Sequence, residues 1–475
     1  MIQPDVVAEL RSIVGSSALI DSPTSRRAYE CDAFTLVRHS PGLVVLPGSA
    51  DEVAAIVRLL HRSGIPFVPR GAGTGLAGGS IARPDAVMIG LNRMRRIRRI
   101  DVRNRLAEVE AGVANLAMTR AVAADGFQFA PDPSSQQACS IGGNCATNAG
   151  GPHTLKCGVT VNHILAIEFV TCDGRLLRIG CEQGDSAGLD LVGLIVGSEG
   201  TFGIVTAATV RLSRTPPTVR TLLAVFESIG DATQTVSDII ARGITPAAME
   251  MMDAGVIEAV EAAFQVGLPL DAAAVLIIEV DGVAAGLDAE AEQAAGIARS
   301  NRARSVRAAA NEEERAALWK SRKRAAGALG RITTSYCTQD GVVPRSELPG
   351  LMSEIATIAA RHELRVANLV HAGDGNIHPI LMYDENDPEQ VRRVIRAGEE
   401  ILCACIRRGG TVTGEHGIGV EKMDLMPLLF SPADLAAMLR LRSAFNPGGL
   451  CNPHKIFPDT KGCWEIHKPG KRAAI

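Results

Sequence analysis

Five glycines fall within nine residues, Gly71, Gly73, Gly75, Gly78 and Gly79, directly after the apolar run 67–69. Such a stretch is a poor helix or strand interior, because glycine loses the most backbone entropy on ordering and brings no side chain to pack. It lets the chain turn at positive φ and crowds backbone N–H groups against a ligand, and nests of that kind hold phosphate oxygens. A tight structural turn would use the same residues. The segment Val68-Pro-Arg-Gly-Ala-Gly-Thr-Gly-Leu-Ala-Gly-Gly-Ser80 lacks the Gly-Lys-Ser/Thr of a Walker loop, and it is not a G-x-G-x-x-G fingerprint opening a helix. Two more small-residue blocks follow. Pro131-Asp-Pro-Ser-Ser leads into Ile141-Gly-Gly-Asn-Cys-Ala-Thr-Asn-Ala-Gly-Gly151, and later comes Gly197-Ser-Glu-Gly-Thr-Phe-Gly-Ile204. Three such blocks within roughly 180 residues, the length of one domain, predict a single extended groove lined by backbone.

Around these blocks the apolar pattern reads as α/β from the start. Strands are predicted over 43–47, 67–69, 86–90, 107–111, 164–171 and 204–212, with a helix over 52–61. Pro216-Pro217 then punctuates the chain, since two prolines cannot continue a central strand or helix. Beyond it, strands over 221–226 and 274–280 alternate with helical patterns over 231–241, 286–300 and 312–329. Further helices are expected over 346–362, 389–408 and 433–445, with two strands around 370–381. Arg93, Arg95, Arg96, Arg98 and Arg99 form the one charge cluster, read as a solvated turn and strand edge.

Composition narrows the function. Lys plus Arg (49) against Asp plus Glu (52) leaves a formal charge of −3, which exerts no pull toward a polyanion. Two Trp, three Tyr and eleven Phe are too few to stack successive bases. Nucleic acid is therefore not the expected partner. The longest uncharged stretch, 134–155, is too polar to span a membrane, and the first thirty residues show no targeting segment. Eleven scattered cysteines, without C-x-x-C spacing, read as reduced cytoplasmic thiols and supply no run for an iron–sulfur cluster.

The order of the three blocks resembles the FAD-binding domain of the vanillyl-alcohol oxidase and p-cresol methylhydroxylase family. The resemblance continues in His371-Ala-Gly-Asp-Gly-Asn-Ile-His378, Thr413-Gly-Glu-His-Gly-Ile-Gly419 and Phe445-Asn-Pro-Gly-Gly-Leu-Cys-Asn-Pro453, which look like a FAD-linked oxidase C-terminal domain. It implies an α+β fold made of a two-subdomain FAD-binding domain and an α/β substrate domain. The expected division is a helical lead-in over 1–37, the FAD-binding domain over 38–217, the substrate and metal domain over 218–457 and a tail over 458–475.

It also implies FAD contacts from Arg70, Gly71, Gly73, Thr74, Gly75, Gly78, Gly79 and Ser80. The second block adds Pro131, Gly142, Gly143, Asn144, Thr147, Asn148, Gly150 and Gly151, and the third adds Gly197, Gly200, Gly203 and Ile204. The branch concerned contains glycolate oxidase catalytic subunits and D-lactate and D-2-hydroxyglutarate dehydrogenases. The implied activity is oxidation of a small 2-hydroxy acid. Electrons would pass to other oxidase subunits, including an iron–sulfur acceptor, or to a quinone-linked acceptor. The protein would be cytoplasmic, or peripheral to the membrane through a partner. No histidine occurs between Arg70 and Ile100 where tethered relatives carry one, so noncovalent FAD is expected.

The second site has its own logic. Asp374-Gly375 favours a two-residue hairpin turn, which would set His371 directly opposite His378, close enough for both imidazoles to bind one divalent ion. A hydrogen-bonded structural pair would have the same spacing. Glu415, between glycines, would complete a facial triad for zinc or manganese, and the resemblance implies these three as ligands. His416 leaves an extended chain on the opposite side and reads as general base. Arg322 matches the arginine of the family's W-x-x-R stretch and would take the substrate carboxylate with its planar fork; a solvated basic helix face is the plainer reading. Thr338 stands where hydroxyglutarate-specific members carry lysine, which favours a monocarboxylate such as glycolate or D-lactate. A metallohydrolase using the histidines alone, or a noncatalytic subunit of an oxidase complex, are the other classes this pattern admits.

Overall fold

The computed structural model describes residues 2–183 and 188–458. The chain forms two compact units, one holding residues up to Gly150, 159–215 and the segment from Glu415, the other holding Gly151–Gly158 and Pro216–Gly414. The boundary at Thr215/Pro216 coincides with the double proline. The last segment, however, returns to the first unit rather than staying with the second. Its anchors are local: Phe67 bridges Cys451, and Asn446 donates to the carbonyls of Thr201 and Cys451 at 3.1 and 2.8 Å. Of the expected tail, residues 459–475 lie outside the described residues.

Among the described residues the first unit contains a four-stranded sheet and a five-stranded one. In the smaller sheet the strands Leu43–Val45 and Phe67–Arg70 flank Val87–Gly90 in parallel. The helix Ala50–Arg62 makes the crossover: Ser49 caps it by accepting from Glu52 N, and Val53, Ile56, Val57 and Leu60 recur at helical spacing on its buried face. The five-stranded sheet is antiparallel, with Gly203–Arg211 between Leu106–Glu110 and Ile164–Thr171. Its edge strand Ile97–Asp101 carries part of the arginine run. Arg98 is paired with Glu108 and Glu168, and Arg96 with the buried Glu110, so this edge is laced to glutamates of neighbouring strands.

The second unit is built on an antiparallel sheet of eight strands. Its centre runs Thr218–Phe226, Ala274–Gly282, Ala248–Asp253, Arg365–His371 and Asn376–Tyr383. Helices Ala254–Phe264 and Glu312–Ala328 pack together and share a core with the sheet through Val256, Val260, Leu318, Leu369 and Ile380. Glutamates and histidines on these strands are buried with that core, and their placement defines the site.

Candidate active site

In the first unit the three glycine blocks converge. A Cβ at Gly71 would lie 2.5 Å from Ser140 Oγ, and one at Gly200 would lie 2.7 Å from Pro69, so bare backbone is what lets the second and third blocks close on the first. Ser140 caps the short helix Ile141–Thr147 by accepting from Gly143 N at 3.2 Å. Asn148 ends that helix in the left-handed region (φ 51°), which asparagine tolerates, and accepts from Val161 N. Asn144 and Thr147 are held within the block: Asn144 accepts from Asn115, which also donates to the Pro131 carbonyl, and Thr147 Oγ1 lies 3.5 Å from Gly143 O. Ile204 belongs to the core. The Arg70 guanidinium folds over Gly73, where a Cβ would meet it, and donates to Cys31 O (2.9 Å) and Ser80 Oγ (3.3 Å).

Gly75 and Gly79 are different. Neither has positive φ, and the nearest protein atom to an added Cβ is 3.7 Å away at Gly75 and 3.5 Å away at Gly79. The protein itself does not demand glycine there. The nearest atoms are carboxylate oxygens of Asp32 and Glu199 at ordinary contact distance, and glycine at both positions leaves the main-chain N–H groups of the loop uncovered, a fit to a dinucleotide pyrophosphate.

Glu199, inside the third block, is a residue that pattern reading passes over. Its backbone is left-handed (φ 51°), it is buried, and its two carboxylate oxygens accept from Ile418 N (2.7 Å) and Gly419 N (2.8 Å). Burial pushes its carboxyl above the usual range, against the lowering effect of those two N–H groups and of nearby lysines. Gly417, at φ 84°, is bare because a Cβ would strike the Glu199 carboxylate. Glu199 thereby fixes the chain just after Glu415 and His416. An acid in the middle of a small-residue block was the available signal.

In the second unit the sequence expectation for the hairpin needs correction. His371 pairs with Asn376, not with His378, which pairs with Leu369. The loop takes four residues, Ala372–Gly375, because Ala372 N and Gly373 N are drawn to the Met249 carbonyl and Gly375 turns at φ 76° under Val343 N. A shift of two residues keeps the face. The imidazoles therefore still meet, diagonally, with ring centroids 5.0 Å apart and planes at 90°. Each has its Nδ1 against an acceptor: His371 on Glu250 (2.9 and 3.0 Å), His378 on the Gln339 carbonyl (3.2 Å). A carboxylate and a carbonyl at Nδ1 favour the tautomer with the proton on Nδ1 and the lone pair on Nε2, one of the two forms in which an imidazole can bind a metal.

Arg322 is not on a solvated face. It is buried, ion-paired with Glu250 and 3.2 Å from His371 Nδ1. Arg315, Trp319 and Arg322 share one stripe of the helix Glu312–Ala328, and all three donate to buried acids of the sheet. Arg315 and Trp319 reach Glu279, whose other partners are Thr221 Oγ1 (2.6 Å) and His153 (3.6 Å). Burial raises the Glu279 carboxyl, but His153, the Arg315 bonds and charge, and Thr221 outweigh it and hold it at about 2. Glu250 is the residue sequence reading missed, and the signal was an acid in a strand, Ala248–Asp253, that is buried throughout.

Asp340, also buried, accepts from Asn376 Nδ2 (2.7 Å), Thr413 Oγ1 (2.6 Å) and Gly414 N (2.9 Å). It fixes the last residues of this unit, immediately before Glu415. The structure thus brings Arg322, Glu250, His371 and His378 together, while Glu415 and His416 open the segment that belongs to the other unit. Gly151 also falls in the second unit, where its N–H donates to Thr154 Oγ1.

One unit holds a cradle of convergent glycine loops and the other a buried Arg–Glu–His network, and the class that combines these is a flavin-dependent oxidoreductase. Residues 41–180 match the model of a FAD binding domain and residues 215–456 that of the C-terminal domain of FAD linked oxidases. The chain belongs to the FAD-linked oxidase family. It is 43% identical over 461 residues to the glycolate oxidase subunit GlcD of Escherichia coli, covering 97% of this chain and 92% of that one. It is also 39% identical to GlcD of Bacillus subtilis (96% and 97%) and 30% identical to a probable mitochondrial D-lactate dehydrogenase of Danio rerio (96% and 92%). Among solved structures, p-cresol methylhydroxylase with substrate bound shares the fold, with a TM-score of 0.80 at 16% identity over 96% of both chains.

Proposed function

We propose that this chain oxidises glycolate or D-lactate to the 2-oxo acid, with noncovalent FAD and one divalent ion, zinc or manganese, held by His371, His378 and Glu415. The observation that carries the reading is Glu250, a single buried carboxylate that binds Arg322 and His371 at once. It sets a carboxylate-binding fork beside a metal-binding imidazole, and a 2-hydroxy acid offers both a carboxylate and an adjacent hydroxyl. The names glycolate oxidase subunit and D-lactate dehydrogenase support that substrate class.

When bound, FAD supplies the hydride acceptor, and a divalent ion polarises the substrate oxygens. Arg322 takes the carboxylate and fixes the α-carbon. Glu250 keeps Arg322 and the His371 tautomer in place. His416 accepts the hydroxyl proton. Gly71–Gly79 and the two later blocks hold the dinucleotide, including Arg70, Thr74 and Ser80 of the loop and Gly142, Gly143, Gly150, Gly197 and Gly203 beyond it. Thr338, half-buried, offers no second cation for a dicarboxylate, which favours glycolate or lactate over 2-hydroxyglutarate.

Electrons would leave through other oxidase subunits, an iron–sulfur protein among them, or to a quinone-linked acceptor; the word subunit in the relatives' names supports a partner chain. No helix among the described residues is long and apolar enough to cross a membrane, and the reading places the protein in the cytoplasm or at a membrane through that partner. The test is product identification: with an artificial electron acceptor, glycolate or D-lactate should yield the 2-oxo acid, trapped as its hydrazone. Turnover of 2-hydroxyglutarate in preference to either would contradict the monocarboxylate assignment.

A further inference from the structure

The FAD-binding domain model begins at residue 41, and the lead-in before it carries no assigned role. The structure nevertheless ties residues 29–34 to the 70–80 loop at every turn. Asp32, buried, accepts from Phe34 N at 3.0 Å with one carboxylate oxygen and from Ser80 N and Ser80 Oγ, both at 3.3 Å, with the other. Ala33 N donates to Gly75 O at 2.9 Å, in the middle of the loop. Cys31 O receives Arg70 Nη1, which also reaches Ser80 Oγ, and the Arg70 guanidinium lies 5.8 Å from the Tyr29 ring centroid. The first and last residues of the loop, Arg70 and Ser80, are therefore both held by one short segment from outside it.

We infer that residues 29–34 are part of the FAD cradle and that Asp32 is a positioning residue, which keeps the 70–80 loop in its binding shape by accepting from Ser80. A nest is useful only when its N–H groups are already aimed, because ordering a five-glycine loop at the moment of binding costs conformational entropy. Asp32 supplies that order from within the protein, with Oδ2 on Ser80 and 3.7 Å from where a Cβ at Gly75 would stand. Burial raises its carboxyl above the usual range and the Arg70 charge and the N–H donors oppose this, in keeping with a group facing protein donors. The inference rests on the reading that the 70–80 loop holds FAD, and the experiment separates the two.

FAD release from the full-length holoprotein is followed by the recovery of free-flavin fluorescence, with thermal melting of the FAD-free protein measured in parallel. Asp32→Ala should release FAD about 10-fold to 100-fold faster, the range for hydrogen bonds to a charged group, and should lower the melting of the FAD-loaded protein more than that of the FAD-free protein. Asp32→Asn, which keeps the size and one acceptor oxygen, should release it several-fold faster, and it serves if the alanine variant does not fold. Gly79→Ala probes the loop itself, since its Cβ meets nothing in the protein closer than Glu199 Oε2 at 3.5 Å and does not touch Asp32. If Gly79→Ala sheds FAD while both Asp32 variants retain it at the parental rate, the brace is wrong and the loop assignment stands. If none of the three alters release, the loop is not the cradle and both readings fall. Equal melting losses in FAD-free and FAD-loaded Asp32 variants, with unchanged release, would make Asp32 merely structural and overturn the inference.

Discussion

Replacing Glu250 by glutamine removes one charge and almost no volume at the point where the proposed metal-binding and substrate-binding halves of the site meet. Glu250 and Arg322 both have fully buried side chains, so the guanidinium in Glu250→Gln keeps its charge and loses its counter-ion. Breaking one side of a buried pair costs about 3–5 kcal/mol, against about 0–1 kcal/mol for a surface pair. The same change leaves His371 Nδ1 facing an amide, which no longer enforces the tautomer with its lone pair on Nε2. Losing such a partner typically weakens metal binding about 10-fold to 100-fold. The variant should therefore show a lower urea midpoint, weaker zinc or manganese binding by chelator competition, and a raised KM for glycolate, all with FAD retained. The double variant Glu250→Met/Arg322→Met separates stability from function: removing both charges should recover much of the midpoint, yet leave substrate binding lost. Glu250→Gln with parental metal affinity and parental KM would refute the reasoning.

Glu279 gives a pH signature. Its carboxyl sits at about 2 in the folded protein against 4.5 for an ordinary glutamate, so its stabilisation is fully present above that ordinary value and is lost as pH falls toward 2. A depression of this size corresponds to about 3 kcal/mol, and Glu279→Gln should flatten the acid limb of the urea midpoint against pH; an unchanged limb would remove Glu279 from the account. His416→Gln should keep both FAD and metal while anaerobic flavin reduction slows about 10²-fold to 10⁴-fold, the range for losing a general base. Loss of metal in that variant would instead make His416 a ligand.

The regular elements were legible where pattern and propensity agree. The strand at 164–171 and the helices around 231–241 and 389–408 lie within a residue or two of their predicted ends. The helix Ile141–Thr147 was not, because Gly142 and Gly143 are poor helix formers and the Ser140 cap and left-handed Asn148 are local devices with no apolar period. The hairpin register failed for a related reason: Asp374-Gly375 is a strong turn signal, but a carbonyl on a strand distant in sequence, Met249, recruits two loop N–H groups and lengthens the turn. Chemistry-bearing types were legible as types. His371, His378 and Arg322 stood out, whereas Glu250, Glu279 and Glu199 did not. A buried acid is recognised by the donors gathered around it, and those come from a helix or a chain segment that only the fold brings near. The return of the chain from Glu415 to the first unit is likewise set by Glu199 and Asn446, not by any punctuation in the sequence.

The central claim is that bound FAD takes the hydride of a small 2-hydroxy acid. The most direct measurement is anaerobic mixing of the purified, FAD-loaded protein with glycolate, D-lactate, L-lactate and D-2-hydroxyglutarate while the visible flavin absorption is followed. The account predicts rapid bleaching by glycolate or D-lactate that is lost in Arg322→Met although FAD remains bound. Flavin that stays oxidised with every acid, or that bleaches equally well in Arg322→Met, would contradict it.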